Sequence, residues 1–202
     1  MLSWLKDFLS PNDLTIINFG DSLTYRFENA SSHLLTLKLK QMLPEINWIN
    51  SGVNGNTILQ AKERFERDVL SHHPDIVTFM FGSNDASMDR NVPVEAYRRT
   101  LNEMIEILGK ERVILITPPP VDESKQMGKR TNERINWYRQ VVLEIGREQK
   151  IPVIDLYNVF YEHSDFPNIL KGKKDDGLHF GESGYNLYAA SIVKMLKTQF
   201  LK

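Results

Sequence analysis

Cysteine is missing from this chain of 202 residues. Its absence excludes disulfide cross-links, thiolate zinc sites, iron–sulfur clusters and a cysteine nucleophile. If the protein is a covalent catalyst, the attacking group is therefore a serine, a threonine, a lysine or a carboxylate.

An excess of either charge is missing as well, because 25 Lys and Arg face 26 Asp and Glu, which gives a formal net charge of −1. Sequence-independent binding to nucleic acid or to an anionic membrane relies on a basic excess. We therefore expect neither nucleic acid nor a membrane surface as a partner.

Long hydrophobic runs are also absent, since no segment approaches the ~18 apolar residues of a membrane span. In the opening residues 1–11, Lys6 and Asp7 interrupt the apolar pattern, and no small-residue cleavage site follows. These features differ from a secretory signal. The sequence therefore predicts a cytoplasmic protein without a membrane span.

Short β-branched runs alternate with longer stretches of helical period, a pattern typical of a parallel sheet covered by helices. No repeat, low-complexity tract or linker divides the chain, so we expect one domain over residues 1–202, a three-layer α/β/α sandwich. The third and fourth strands are almost entirely hydrophobic and should be central. The predicted strands are 14–19, 47–50, 75–81, 113–117 and 153–156. The predicted helices are about 32–42, 58–71, 94–108, 130–149 and 183–200.

Two long irregular segments, Pro118–Gly128 and Ser164–Gly181, are expected near the carboxyl ends of the strands. Ligands bind at that edge in open α/β sheets, and long loops in compact domains are often functional. Another segment, residues 62–68, mixes both signs of charge and predicts a solvated helix face.

The first candidate for chemistry is Gly20-Asp21-Ser22, where the first predicted strand ends. The glycine permits a tight departure from the strand, which would leave Ser22 exposed at the carboxyl edge of the sheet. The alternative is that Asp21 or Ser22 only caps a helix. The segment lacks the second glycine of the G-x-S-x-G elbow of α/β-hydrolases.

The second candidate is Asp176-Gly177-Leu178-His179, in the loop before the last helix. Across a glycine turn, the carboxylate can hold one imidazole nitrogen and leave the other free as a base. The alternative is a solvated loop in which His179 is incidental.

Two further candidates follow the second and third strands. Asn50 to Thr57 is a turn-rich passage containing Gly52 and Gly55, and Gly82-Ser83-Asn84-Asp85 follows the most apolar strand. A glycine lets a backbone N–H approach a ligand closely, and an asparagine amide at a strand end is a fixed donor. Taken singly, both passages also fit ordinary strand-to-helix turns.

Together, the four blocks resemble the SGNH, or GDSL, hydrolase family over roughly residues 16–190. The resemblance implies that Ser22 is the nucleophile, His179 the general base and Asp176 the residue that orients it. It also implies an oxyanion hole built from the Ser22 N–H, the Gly55 N–H and the Asn84 side-chain amide. Gly55, rather than Gly52, fits the family's spacing. Many members carry an asparagine two residues after the histidine, where this chain has Gly181.

The family resemblance implies a flavodoxin-like SGNH fold and hydrolysis of carboxylic esters through an acyl-serine, with no metal and no cofactor. The substrate would be a small-molecule ester, an acetyl ester, or a lysophospholipid or thioester. The alternatives are an acyltransferase using the same acyl-serine, a carbohydrate O-deacetylase and, least favoured, a non-catalytic binding module. The 118–128 and 164–176 loops are expected to shape the acyl and alcohol pockets. The basic run Lys171-Gly172-Lys173-Lys174 either solvates its loop or meets an anionic substrate.

Overall fold

The computed structural model describes residues 14–201. Residues 1–11, for which the sequence predicts no secretory signal, lie outside the described residues. The expectation of one domain over residues 1–202 stays a prediction. Within the described part of the chain, no helix is long and apolar enough to cross a membrane.

Parallel strands form one sheet in the order β2-β1-β3-β4-β5. Because the chain goes from β1 out to β2 and then returns to β3, the strand order switches direction beside β1. Ligand sites form at such switch points. The order is flavodoxin-like, as predicted. The strands are β1 (Thr15–Gly20), β2 (Asn47–Gly52), β3 (Ile76–Met80), β4 (Val113–Ile116) and β5 (Val153–Ile154).

Helices cover both faces of the sheet and complete the predicted three layers. Short 3-10 turns occur at Leu70–His72, Lys110–Arg112, Glu123–Lys125 and Asn168–Leu170. The α-helices are α1 (Ser22–Tyr25), α2 (Leu34–Met42), α3 (Ile58–Glu63), α4 (Phe65–Asp68), α5 (Val94–Leu108), α6 (Asn132–Gln149), α7 (Leu156–Tyr161) and α8 (Glu182–Gln199).

The core has two halves, one on each face of the sheet. Successive strand side chains point to opposite faces, so in β3 Ile76 joins the half beneath α2 and α8, whereas Val77 and Phe79 join the half beneath α5 and α6. All five residues of β3 are buried. This two-sided burial explains the nearly continuous hydrophobic runs in the sequence and confirms that β3 is the middle strand.

The predicted helix over 58–71 is wrong as a single element, because the helix is interrupted at Arg64, between α3 and α4. Residues 62–68 were expected to form a solvated face, but the Arg64 side chain is buried and donates to the carbonyls of Gly20 and Ser51. The fifth strand is also shorter than predicted, since Asp155 accepts a hydrogen bond from the Asn158 N–H and caps α7. The other predicted boundaries lie within two residues of those observed.

Candidate active site

The predicted site residues come together at the carboxyl edge of the sheet. Because β1 lies between β2 and β3, the loops after these strands place Ser22, Gly55 and Asn84 side by side. Together with Asp176 and His179 from the loop before α8, they line one cavity of about 490 Å³. All five predicted residues therefore share one pocket.

The Ser22 elbow is fixed by its neighbours. Asp21 caps the one-turn helix α1, since its Oδ1 accepts from the Leu23 N–H at 2.9 Å. The end of β2 packs directly on this helix: a Cβ at Gly52 would lie 2.4 Å from the backbone nitrogen of Tyr25. Gly52 therefore allows β2 to approach α1 closely, while Ser22, the first residue of α1, opens on the cavity.

Ser22, His179 and Asp176 form one hydrogen-bonded chain. The Oγ of Ser22 lies 2.9 Å from Nε2 of His179, and Nδ1 of His179 lies 2.7 Å from Oδ2 of Asp176. The other carboxylate oxygen, Oδ1, accepts from the backbone N–H groups of Leu178 and His179, at 3.1 and 2.9 Å. Asp176 thus fixes both the fold of its loop and the orientation of the imidazole.

Protonation in this chain follows from burial and hydrogen bonding. Burial lowers the pKa of His179, and Asp176 opposes part of that shift. Burial also raises the pKa of Asp176, but the hydrogen bonds and charge of His179 outweigh it and bring the pKa to about 2. An ionised carboxylate is only an acceptor, so Nδ1 of His179 carries a proton. In the neutral ring, Nε2 is then a free acceptor facing the Ser22 hydroxyl.

Donors surround the space beside Ser22. Gly55 has a φ of +74°, which glycine adopts readily. Between residues 14 and 201, no hydrogen bond from the backbone N–H of Ser22 or Gly55 to another protein atom is formed. The Asn84 amide donates to the carbonyl of Asn56 at 3.0 Å and, over a longer 3.3 Å, to Oδ2 of Asp21. Two free backbone donors therefore meet at the cavity with a side-chain amide that makes one ordinary and one long hydrogen bond.

Arg130 lines the same cavity, although no sequence pattern indicates its role. Its Nη2 donates to Oδ1 of Asn84 at 3.0 Å, and its Nε donates to the Ser83 carbonyl at 2.7 Å. The residue is only 7% exposed. Because the guanidinium holds Oδ1 of Asn84, the amide nitrogen is turned toward Asn56 and Asp21. Arg130 follows a polar loop and is the first residue of the predicted helix 130–149, where nothing in the pattern indicates a role in the site.

Two buried carboxylates support these loops. Asp85 accepts from the backbone N–H groups of Ile58 and Gly82, at 2.8 and 3.1 Å. Burial raises the pKa of Asp85 and of Asp21 to about 7 in each case. The blocks containing these residues were recognised in the sequence, but the two carboxylates were not expected to titrate near neutrality.

The loop that carries Asp176 is pinned although Gly181 replaces the family's asparagine. The Gly181 N–H donates to the Lys171 carbonyl at 3.2 Å. The Asp122 N–H donates to the Gly177 carbonyl at 2.8 Å, and the Gln126 side chain donates to the Asp176 carbonyl. The 118–128 loop, predicted to shape a pocket, therefore also holds the histidine loop. No cluster of three or more His, Asp or Glu side chains suited to a metal ion occurs within residues 14–201.

Comparison with known proteins gives consistent matches. Residues 19–187 match the GDSL-like Lipase/Acylhydrolase family. A Rattus norvegicus protein, isoamyl acetate-hydrolyzing esterase 1 homolog, is 30% identical over 193 residues, which cover 84% of this chain and 76% of the relative. Acetylxylan esterase from Geobacillus stearothermophilus is 26% identical over 179 residues, covering 81% of this chain and 79% of the relative.

A solved structure is similar over almost the whole chain. The lipase/acylhydrolase from Enterococcus faecalis aligns with a TM-score of 0.86 and 36% sequence identity. The alignment covers 92% of this chain and 96% of that chain.

Proposed function

Since this chain belongs to the GDSL-like lipase/acylhydrolase family and is an enzyme that acts on ester bonds, we propose that it hydrolyses small-molecule carboxylic esters through an acyl-serine on Ser22. The observation that carries the proposal is the chain of hydrogen bonds from Ser22 through His179 to Asp176, at 2.9 and 2.7 Å. A serine hydroxyl is a weak nucleophile until an adjacent base takes its proton, and His179 supplies that base.

In the first half of the reaction, Oγ of Ser22 attacks the ester carbonyl while Nε2 of His179 takes the hydroxyl proton. The carboxylate of Asp176 stabilises the imidazolium that forms. His179 then returns the proton to the departing alkoxide, which leaves as the alcohol. The acyl group remains on Ser22.

Negative charge develops on the carbonyl oxygen during attack, and fixed donors stabilise it more in the transition state than in the ground state. The backbone N–H groups of Ser22 and Gly55 are free to donate. The Asn84 amide can shift its long 3.3 Å contact from Asp21 to the oxyanion. These three groups are the proposed oxyanion hole.

In the second half, a water molecule attacks the acyl carbon while His179 again acts as base. The tetrahedral intermediate collapses, Ser22 regains its proton and the carboxylic acid leaves. The relatives named for isoamyl acetate and acetylxylan favour a short acyl group. The second of them makes carbohydrate O-deacetylation the second candidate.

The decisive test is a set of 4-nitrophenyl esters of increasing acyl length, followed by acetylated sugars, assayed with the wild type and Ser22→Ala. We expect the fastest turnover with short acyl groups and a loss of several orders of magnitude in Ser22→Ala, because only binding and oxyanion stabilisation remain. Ser71→Ala is the matched control, since Ser71 is exposed and does not line the cavity.

Mass spectrometry of the wild type after rapid quenching should show one added acyl group, located on the peptide that contains Ser22. Near-normal turnover by a folded Ser22→Ala variant would refute the mechanism. Release of sugar acetate alone, with no hydrolysis of simple esters, would instead establish the second candidate.

A further inference from the structure

The cavity at Ser22 is lined by more positive charge than the composition leads one to expect. One carboxylate, Asp176, lines it, and that carboxylate is engaged with His179. The whole chain is nearly neutral, so the charge is concentrated locally. The cationic side chains that line the cavity are Arg26, Lys125, Lys129, Arg130 and Lys174.

Three of these cations have carboxylate partners. Lys125 lies 2.5 Å from Oδ1 of Asp175, Lys129 lies 2.8 Å from Oδ2 of Asp89, and Arg26 pairs with Glu28. Their charges are therefore partly compensated. Two remain: within residues 14–201, no carboxylate oxygen lies within 4.0 Å of a side-chain nitrogen of Lys174 or Arg130.

These two cations differ in what they can do. Arg130 is buried, and its contacts hold Asn84 and the Ser83 carbonyl. Lys174 is exposed, two residues before Asp176, and has an ammonium group without a protein partner. Lys174 is therefore the cation that is available to a bound molecule.

Lys174 also stands where two cavities meet. A second cavity of about 470 Å³ is lined by Tyr25, Phe27, Lys173 and Glu28, whose carboxylate pairs with Arg26, and it shares Arg26, Asn54 and Lys174 with the catalytic cavity. The charges of Arg26 and Lys174 both act on the His179 ring and lower its pKa, so both lie within electrostatic reach of the reacting groups. A group attached next to an ester carbonyl at Ser22 would lie in the cavity that both cations line.

We propose that the preferred substrates are esters that carry a compact anionic group, a carboxylate or a phosphate, near the scissile bond, and that Lys174 together with Arg26 binds this group. This inference rests on the ester hydrolysis proposed above and narrows its substrate class. Arg26 can contact the anionic group of the substrate while it stays paired with Glu28, because this pairing leaves further guanidinium N–H groups. The interaction supports both binding and electrostatic steering of the substrate toward the cavity.

The test uses ester pairs that differ only in charge. On the alcohol side, 3-acetoxybenzoate and 3-acetoxyphenyl phosphate are compared with the neutral 3-acetoxybenzamide. On the acyl side, 4-nitrophenyl hemisuccinate is compared with its neutral succinamate. We expect the wild type to favour one anionic side by about fivefold in kcat/KM, the effect of an exposed charge contact, mainly through a lower KM. The preference should decrease as ionic strength rises.

Lys174→Gln should remove most of this preference, measured within the variant as the ratio of kcat/KM for the anionic ester to kcat/KM for its neutral partner, and Lys174→Glu should reverse it. Lys171→Gln is the matched control: it changes net charge equally in the same loop, but Lys171 lines neither cavity. Arg26→Gln should lower the preference as well. The better of the carboxylate and phosphate arms identifies the anion.

Two outcomes would overturn the inference. If neutral esters are hydrolysed and no anionic member of any pair is preferred, the substrate class is wrong while the proposed esterase stands. The same holds if the preference persists equally in Lys174→Gln and Lys171→Gln. If neither neutral nor anionic esters are hydrolysed, the proposed function itself fails together with the inference.

Discussion

As the proposed general base, His179 has to be neutral, and its surroundings in the fold lower its pKa. Burial lowers its pKa, Asp176 opposes this effect, and the nearby cations Arg26 and Lys174 lower it further. Because the pKa of the base is lowered, the neutral, reactive form persists to a lower pH than for an ordinary histidine. Asp176, with a pKa of about 2, stays ionised throughout that range.

For neutral esters, we expect kcat/KM to be full at neutral pH and to fall as the pH drops through the lowered pKa of His179, below its usual value of 6.5. Lys174→Gln removes a positive charge that lowers this pKa, so its acid limb should shift to higher pH. A pH profile with 4-nitrophenyl acetate measures both. An acid limb that moves the opposite way, or lies above 6.5 in the wild type, would contradict this account.

In the proposed mechanism Arg130 is a positioning residue, because its guanidinium holds the side chain of Asn84. Asn84→Ala removes one donor of the proposed oxyanion hole and should lower kcat by about 10²- to 10³-fold. We expect Arg130→Met to lower kcat less, with little change in KM, since the amide is released but still present. In the Asn84→Ala background, Arg130→Met should cost no further kcat.

This double-mutant cycle separates positioning from general support of the fold. A purely structural role would lower activity equally in both backgrounds and would show in thermal unfolding. The sequence could predict Asn84, because its block has a recognisable pattern. It could not predict Arg130, because a contact across 46 residues leaves no local periodicity.

At the scale of elements, the sequence predicts structure well where burial determines the hydrophobic pattern. Strand β3 is buried on both faces and its residues are continuously hydrophobic. On α8, the apolar residues Tyr185, Tyr188 and Ile192 recur at helical spacing and are fully buried, as expected for the core-facing side of a helix. At Arg64 the predicted solvated face was wrong. A buried arginine that donates to two carbonyls at the ends of β1 and β2 cannot be distinguished, from sequence alone, from an arginine on a solvated helix face.

The contact between β2 and α1 gives an element-scale prediction. In Gly52→Ala, the new methyl group would lie within 2.8 Å of three backbone atoms of Thr24 and Tyr25. We expect α1 to shift, destabilising the protein by about 1–3 kcal/mol and lowering kcat further through a displaced Ser22. Chemical unfolding and steady-state kinetics measure the two effects.

Gly109→Ala is the control for this prediction. Gly109 has a φ of +92° at the end of α5, just before the turn that leads into β4, so its substitution strains the backbone. It lies at the amino edge of the sheet, away from Ser22. We expect lower stability with unchanged kcat. Equal kcat losses in both variants would show that Gly52 has no special role at the elbow.

At the scale of the whole molecule, the order of strands could be predicted because the four blocks and the alternation of strands and helices together match one known family and its fold. The ionisation states of the buried carboxyl groups could not be predicted from the sequence. The pKa values of Asp21 and Asp85 depend on desolvation by atoms from several elements, and that burial exists only in the assembled protein.

The contribution of these two carboxyl groups to stability should therefore depend on pH in an unusual direction. A carboxyl group with a raised pKa in the folded state binds its proton more tightly there, so its contribution to stability is complete below pH 3.8 and is lost as pH rises through about 7. His179 acts in the opposite sense below pH 6.5, since folding lowers its pKa.

Asp85→Asn isolates the carboxylate contribution. The wild type should lose unfolding free energy relative to this variant as pH rises from about 4 to about 7, measured by urea unfolding at a series of pH values. Asp75→Asn, at a partly buried carboxylate outside the cavity, is the control. A constant difference between wild type and Asp85→Asn over this interval would mean that Asp85 is ionised throughout.

The ties between the 118–128 loop and the histidine loop have a practical consequence for redesign. The Asp122 N–H and the Gln126 side chain hold the carbonyls of Gly177 and Asp176, so a loop that lines the cavity also holds the loop of His179, the proposed base. Grafting a new specificity loop from a homologue would remove these hydrogen bonds. The 118–128 loop and the histidine loop therefore have to be exchanged together if the chimera is to keep its turnover.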